Sequence, residues 1–280
     1  MSSPIDGRGA TAPAYEPGTM LPEEFEEQFC DQLMGDWLQM PRVGPPPHAT
    51  PEQARIYHAT WMKYFSFFAW SFPSWLMNAA TRCPYQDVRV AVIGDCVDEE
   101  VGDSEADDLS HIELLYREVE ALGMPREEVF AAEPTGPILT ALQAFDNLSR
   151  TLTWVGSFAA VAALEIAQSQ RGIKARERMT TSKETEAYQE SFGGRAFHER
   201  LGLPAESLVF LAHHGYKDMA HGGGELALVA KYAYTKELQN EAIWAAKASA
   251  KVLGVMHTEM VKLAHEAAGL EIDPRFMTQV

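Results

Sequence analysis

The run Asp87 to Asp95 (DVRVAVIGD) is the one stretch of the 280 residues that imitates a buried strand, and its failure as one decides the fold class. A strand that opens a dinucleotide-binding unit leads into GxGxxG, whose backbone amides meet a pyrophosphate. Here Asp95-Cys96-Val97-Asp98-Glu99-Glu100 follows instead. Acids stand where amides should welcome an anion, and no further strand-like runs follow to build a sheet. The run is expected to be helical, and so is the rest. Helical patterning starts near Leu21, where Pro22 and early glutamates suit a helix start. Pro41 to Pro47 reads as a loop. Thr50-Pro51-Glu52-Gln53 then has the layout of a capping box. The helix behind it carries an aromatic stripe (Tyr57, Trp61, Tyr64, Phe65, Phe68, Trp70) until Pro73 kinks or ends it. Ser110-His111-Ile112-Glu113 is a second capping box, opening a helix that stops at Gly123. A long apolar helix is expected from about Thr135 to Gln170. After it comes a polar segment, 171–200, read as an exposed helix or lid with a break at Gly193-Gly194. Helices resume over Pro204 to Tyr234 and Lys236 to Gly269. The expectation is an all-α bundle of about seven helices, one domain over 21–280, preceded by a disordered tail over 1–20.

Charge and cysteine usage exclude several classes of function. Lys and Arg number 23 against 40 Asp and Glu, a formal net charge of −17. A surface that acidic repels a phosphate backbone, so nucleic acid is not an expected partner. Three cysteines without CxxC spacing (Cys30, Cys83, Cys96) make neither a disulfide framework nor a thiolate zinc site. That usage implies a reducing compartment, so a cytoplasmic protein is expected. The start of the chain lacks the apolar run of a signal peptide, and no run of about eighteen apolar residues spans a membrane.

Three features carry metal chemistry. His214-Gly215-Tyr216-Lys217-Asp218-Met219-Ala220-His221 is an H-x3-D-x2-H arrangement. At ~100° per residue these positions share one face of a helix, so two imidazoles and a carboxylate converge. That donor set suits iron, manganese or zinc rather than calcium, the alternative being a solvated face. Glu165 sits in FAAVAALEIA; a carboxylate among apolar residues is paired or metal-bound, unless it lies on the helix's one wet stripe. Asp98-Glu99-Glu100 precedes His111 across a loop, so a carboxylate can end one helix as the histidine begins the next. Either Glu99 or Glu100 fits, with Glu105 a distant third. Three imidazoles and three carboxylates exceed the needs of a single zinc. Two ferrous ions would set four positive charges against three negative. None of the nine histidines has a glutamate three residues before it, which removes the Glu-x-x-His pattern of ferritin-like sites. HExxH is absent as well.

The run DEEVG…SHIELLYREVEALG, then a helix ending in ALEIAQ, then FLAHHGYKDMAH resembles the heme-oxygenase-like diiron oxidases and oxygenases. These are relatives of the TenA and PqqC folds, often described as iron-containing redox enzymes. The resemblance covers about Val88 to Tyr234. It implies a heme-oxygenase-like bundle with Glu99, His111 and Glu165 as the earlier ligands, and His214, Asp218 and His221 from a late core helix. It further implies two Fe(II) ions, O2 as co-substrate, and a small amino-acid-like substrate undergoing N-oxygenation or oxidative C–C cleavage, commonly in natural-product biosynthesis. An external electron donor and a homodimer are compatible with it. The alternatives are a metal-free PqqC- or TenA-like enzyme, a thiaminase-like hydrolase with a nucleophilic thiol, and a non-catalytic binding bundle. Gly222-Gly223-Gly224 follows the last proposed ligand. At about 1 kcal/mol each against alanine, the three glycines predict a weak or distorted turn that metal would order.

Overall fold

The computed structural model describes residues 12–41, 43–102, 108–181, 183 and 195–272, with the side chains of 195–197, 205 and 214–220 left aside. Among these residues there are eleven α-helices and one 3-10 turn, and no strand. The helices are α1 Pro22–Trp37, α2 Pro51–Ala80, α3 Gln86–Glu100, α4 His111–Ala121, α5 Arg126–Phe130, α6 Gly136–Thr151, α7 Trp154–Gln168, α8 Gln170–Met179, α9 Arg195–Leu201, α10 Val209–Tyr232 and α11 Lys236–Ala268. The all-α class matches the expectation, and the count exceeds seven because short helices fill the connections. No helix of the described residues is long and apolar enough to cross a membrane.

Local chemistry accounts for the helix starts. The Thr50 hydroxyl accepts from the Gln53 amide at 3.2 Å, while the Gln53 side chain accepts from the Thr50 amide at 3.1 Å, so the capping box is complete. Ser110 accepts from the Glu113 amide at 3.4 Å and opens α4. The strand-like run is indeed helical, as α3.

Of the two outcomes expected at Pro73, termination does not occur, since α2 runs on to Ala80 with Pro73 inside it. One expectation fails in detail. The single helix expected from Thr135 to Gln170 is three pieces. Leu152 is extended, Thr153 caps α7 by accepting from the Gly156 amide at 3.1 Å, and Ser169 caps α8 by accepting from the Gly172 amide at 3.2 Å. Arg82 seals the first break, donating to the Leu152 and Ser149 carbonyls at 2.6 Å each and to the Ser157 hydroxyl at 2.7 Å. Of the 171–200 segment, 171–179 belong to α8; Gly193-Gly194 lies outside the described residues.

α7 is the hub. Apart from Trp154, Leu164 and Gln168, every residue of it is buried, as a helix apolar all round must be. Both α10 and α11 pack along it, with α2, α6 and α1 around them. The last turn of α10 is anchored to α3: Lys231 Nζ donates to Asp87 at 2.6 Å, the Tyr232 hydroxyl lies 2.7 Å from the same carboxylate, and its ring stacks on Tyr85 at 4.0 Å. Of the expected tail, 1–11 lie outside the described residues. Glu16 and Met20 are tied to the α10–α11 junction, through the Tyr234 carbonyl at 3.0 Å and the Gln239 side chain at 3.1 Å.

Candidate metal centre

α3 presents one stripe at positions 88, 92, 95 and 99, that is i, i+4, i+7 and i+11. Val88 and Val92 at its start are buried in the core. Because the phase continues, Asp95 and Glu99 turn inward where the stripe changes from apolar to acidic. Glu99 is buried and Glu100 exposed, so of the two alternatives Glu99 is the one that faces the bundle. Glu105 lies outside the described residues.

Glu99 Oε1 is 2.9 Å from Nδ1 of His111, the first residue of α4, and both are buried. The His213 ring meets the His111 ring edge-on at 5.2 Å. Glu165, buried in the middle of the bundle on α7, has Oε2 3.5 Å from His221 Nδ1 on α10. The other His221 nitrogen, Nε2, lies 3.4 Å from Asp98 Oδ2 and 4.0 Å from Asp95 Oδ1. Four of the six expected ligands therefore fall into two carboxylate–imidazole pairs, Glu99 with His111 between α3 and α4 and Glu165 with His221 between α7 and α10. The remaining two, His214 and Asp218, stand seven and three residues before His221 on the same helix strip; their side chains are outside those described.

Asp95 and Asp98 were not anticipated. The signal for Asp95 was present, since it occupies the Val88–Val92–Glu99 stripe; Asp98, on the flank of that stripe, is legible only once α10 is placed beside α3.

Acidic side chains outnumber imidazoles in this region. Four carboxylates (Asp95, Asp98, Glu99, Glu165) surround His221 and His111. Burial, reinforced by Glu165, Asp98 and Glu99, pushes the Asp95 carboxyl up to about 7 against the pull of His221. Burial also raises Glu99, opposed by His111. The hydrogen bond to Glu165, with Asp95 and Asp98 nearby, raises His221 to about 9. Protonated His221 thus supplies positive charge among mutually repelling acids. A divalent ion would supply more of it, with the same oxygens and nitrogens as donors, a set whose chemistry is compatible with iron. Among the described residues no three His, Cys, Asp or Glu donors are already gathered as a metal site requires, and His214 and Asp218 are outside that set.

α10 is a regular helix through Gly222-Gly223-Gly224, so the distorted turn expected there is not found. Gly222 explains why a glycine is needed. An ideal Cβ there would lie 2.2 Å from the Glu165 carbonyl oxygen and 2.4 Å from its carbon. The backbones of α7 and α10 touch where each carries a ligand candidate. Gly223 and Gly224 have nothing within 4 Å of such a Cβ. Near these elements Phe158 is buried, Trp154 packs on Tyr85 and Tyr232, and the buried His257 and His265 meet Trp61 and Tyr57 edge-on.

Cys96 lies beside Asp95, and burial with the surrounding acids pushes its thiol up to about 12. Burial likewise pushes Cys30 up to about 12 and Cys83 to about 11. Burial therefore disfavours the thiolate at all three, which counts against a thiol-dependent hydrolase.

Comparison with known proteins gives the same picture. No curated protein matches the sequence. Among solved structures, a TenA homologue from Pseudomonas syringae pv. tomato shares 12% identity over 90% of this chain and 100% of its own, with a TM-score of 0.56. A CADD-like protein from Nostoc punctiforme shares 19% identity over 90% of this chain and 98% of its own, with a TM-score of 0.57. These likenesses establish a TenA-type, heme-oxygenase-like helical fold. The family described as iron-containing redox enzyme matches residues 59–254, a span that holds all six expected ligands together with Asp95 and Asp98. The chain belongs to that family, the iron-containing redox enzymes.

Proposed function

We propose that this protein is a non-heme diiron oxygenase or oxidase that holds two Fe(II) ions with Glu99, His111, Glu165, His214, Asp218 and His221 and uses O2 to oxidise a small amino-acid-like substrate. The observation that carries the reading is the buried cluster of carboxylates and imidazoles, built from four helices inside the span matched by an iron-containing family. When bound, two ferrous ions supply the electrons and open coordination positions that O2 activation requires. The chain's own residues do the rest. His221, whose two ring nitrogens face Glu165 and Asp98, would release one proton and so free one ring nitrogen for the metal. Glu99 orients the His111 ring through Nδ1. Burial of Glu99, His111 and Glu165 keeps bulk water from the reacting centre. N-oxygenation or oxidative C–C cleavage, with an external electron donor, is the reaction class that the family resemblance suggests, typically in natural-product biosynthesis.

The test is iron bound per chain after anaerobic loading, for wild type and for His214→Ala and His221→Ala, followed by exposure to O2. The reading expects nearly two irons in the wild type, fewer in each variant, and a transient absorbing species on oxygenation of the wild type. No iron retained by a folded wild type would leave a metal-free relative as the better account.

A further inference from the structure

α10, which carries three of the proposed ligands, begins without a cap of its own. Its N-cap residue is Leu208, with no capping side chain and no acid in the first turn, yet Leu208 and Phe210 are buried. The first amides of a helix need acceptors, and an uncapped buried start is costly. The acceptor comes from another helix. Glu118 of α4 is completely buried, and its Oε2 accepts from the Phe210 amide at 2.9 Å and the Leu211 amide at 3.1 Å. These are the second and third helical positions, the two that a capping side chain ordinarily serves. The other oxygen, Oε1, lies 3.1 Å from His58 Nε2 on α2.

Glu118 is seven residues after His111, two turns along the same face of α4. His214 is four residues after Phe210, one turn into α10. A single carboxylate therefore ties the start of the helix bearing His214, Asp218 and His221 to the helix bearing His111, with α2 behind it. A carboxylate–imidazole pair at this depth is a poor device for stability alone, since apolar side chains of similar volume hold a fold as well or better. What it adds is direction: two amides on one oxygen set both the axial position and the rotation of α10.

We propose that Glu118, backed by His58, is a positioning residue that sets the register of α10 against α4, so that ligands from the two helices meet at one centre. The proposal rests on the diiron reading of the site and deepens it. Glu118 acts through α10 and not on the metal.

The experiment compares wild type with His58→Leu/Glu118→Leu, with Glu118→Gln, and with the control Val119→Ala, a buried core residue of the same helix that makes no part of the tether. Amide exchange is read on the metal-free proteins and Fe(II) affinity by anaerobic titration. In the double variant, amides 210–221 should exchange at least ~tenfold faster, and Fe(II) affinity should fall by roughly tenfold or more, in the range seen when groups that orient metal ligands are removed. Glu118→Gln keeps an acceptor for both amides and should recover most of that affinity. Val119→Ala should melt lower but bind iron as the wild type does. Wild-type exchange and affinity in the double variant overturn the proposal, and so does a loss of affinity in Val119→Ala equal to that in the double variant. A wild type that binds no iron fails the diiron reading; the exchange arm then decides the tether alone, unchanged protection of 210–221 refuting it.

Discussion

Replacing Gly222 with alanine tests the most demanding contact in the molecule. The new Cβ would start 2.2 Å from the Glu165 carbonyl oxygen, and ordinary contact begins near 3.4 Å, so α7 and α10 must part by about 1.2 Å. Both atoms at the contact belong to rigid elements, the Cβ on one side and backbone on the other, so no rotamer change absorbs the clash. Overpacking of this kind costs ~1–3 kcal/mol, and a purely backbone clash belongs at the upper end. Alanine returns up to about 1 kcal/mol through its helix propensity. The net loss is about 2 kcal/mol, roughly 3–4 °C in melting temperature for a chain of this size. The effect on iron should be larger, because the separation opens between Glu165 and His221, whose atoms now stand 3.5 Å apart. Urea unfolding gives the stability, and anaerobic iron loading gives the stoichiometry. Gly223→Ala and Gly224→Ala are internal controls: both sites have open space, so each should gain up to about 1 kcal/mol and leave iron binding unchanged. If Gly222→Ala proves as stable as those controls and binds iron normally, the backbone contact between α7 and α10 does not hold the site.

Other outcomes follow from the same structure. Asp95→Asn should stabilise the metal-free protein by roughly 1–3 kcal/mol at pH 8. Asp95 is raised from 3.8 to about 7, so the folded state holds the extra proton between those values. Wild-type stability therefore falls as pH rises through that window, and the variant should lack the slope in urea titrations. His257 runs the other way. Burial lowers it from 6.5 to about 4, so the unfolded chain binds the extra proton, and the contribution of His257 is lost as pH falls below 6.5. By pH 5 the loss is about 2 kcal/mol, and in His257→Phe the drop in unfolding free energy between pH 7 and pH 5 should shrink by that amount. Arg82→Ala removes the three hydrogen bonds across the α6–α7 break. Allowing for its partial exposure, the cost is about 1–2 kcal/mol, read by thermal melt without change in iron content.

The residues show what a sequence can and cannot convey about such a fold. The capping box at Thr50 and the N-cap at Ser110 were legible because a cap is a local device within four residues. The Glu113 side chain, however, pairs with Arg126 and does not complete a box at Ser110. Helix α3 was legible despite its strand-like look because acids followed it where a nucleotide-binding turn would need amides. The break at Leu152–Thr153 was not, since it is bridged by Arg82 reaching from the turn just after α2, about seventy residues away in sequence. Glu99 was separable from Glu100 by carrying the Val88–Val92 stripe forward. Asp98 was not, because its partner His221 comes from a helix whose placement no local pattern reveals. The glycine run misled for a related reason: propensity penalises all three equally, whereas close packing requires Gly222 alone.

The way α10 is secured has a mechanical consequence. Its first turn is clamped by Glu118 and its last by Asp87, with the ligand-bearing stretch suspended between. A beam fixed at both ends cannot swing like a door; it yields only by slackening in mid-span. Release of metal should therefore register as local unwinding around 214–221 with the two ends still seated, and not as a hinged opening of the bundle. Spin labels at the ends of α10 would keep their separations from α4 and α3 while amides in the middle lose protection.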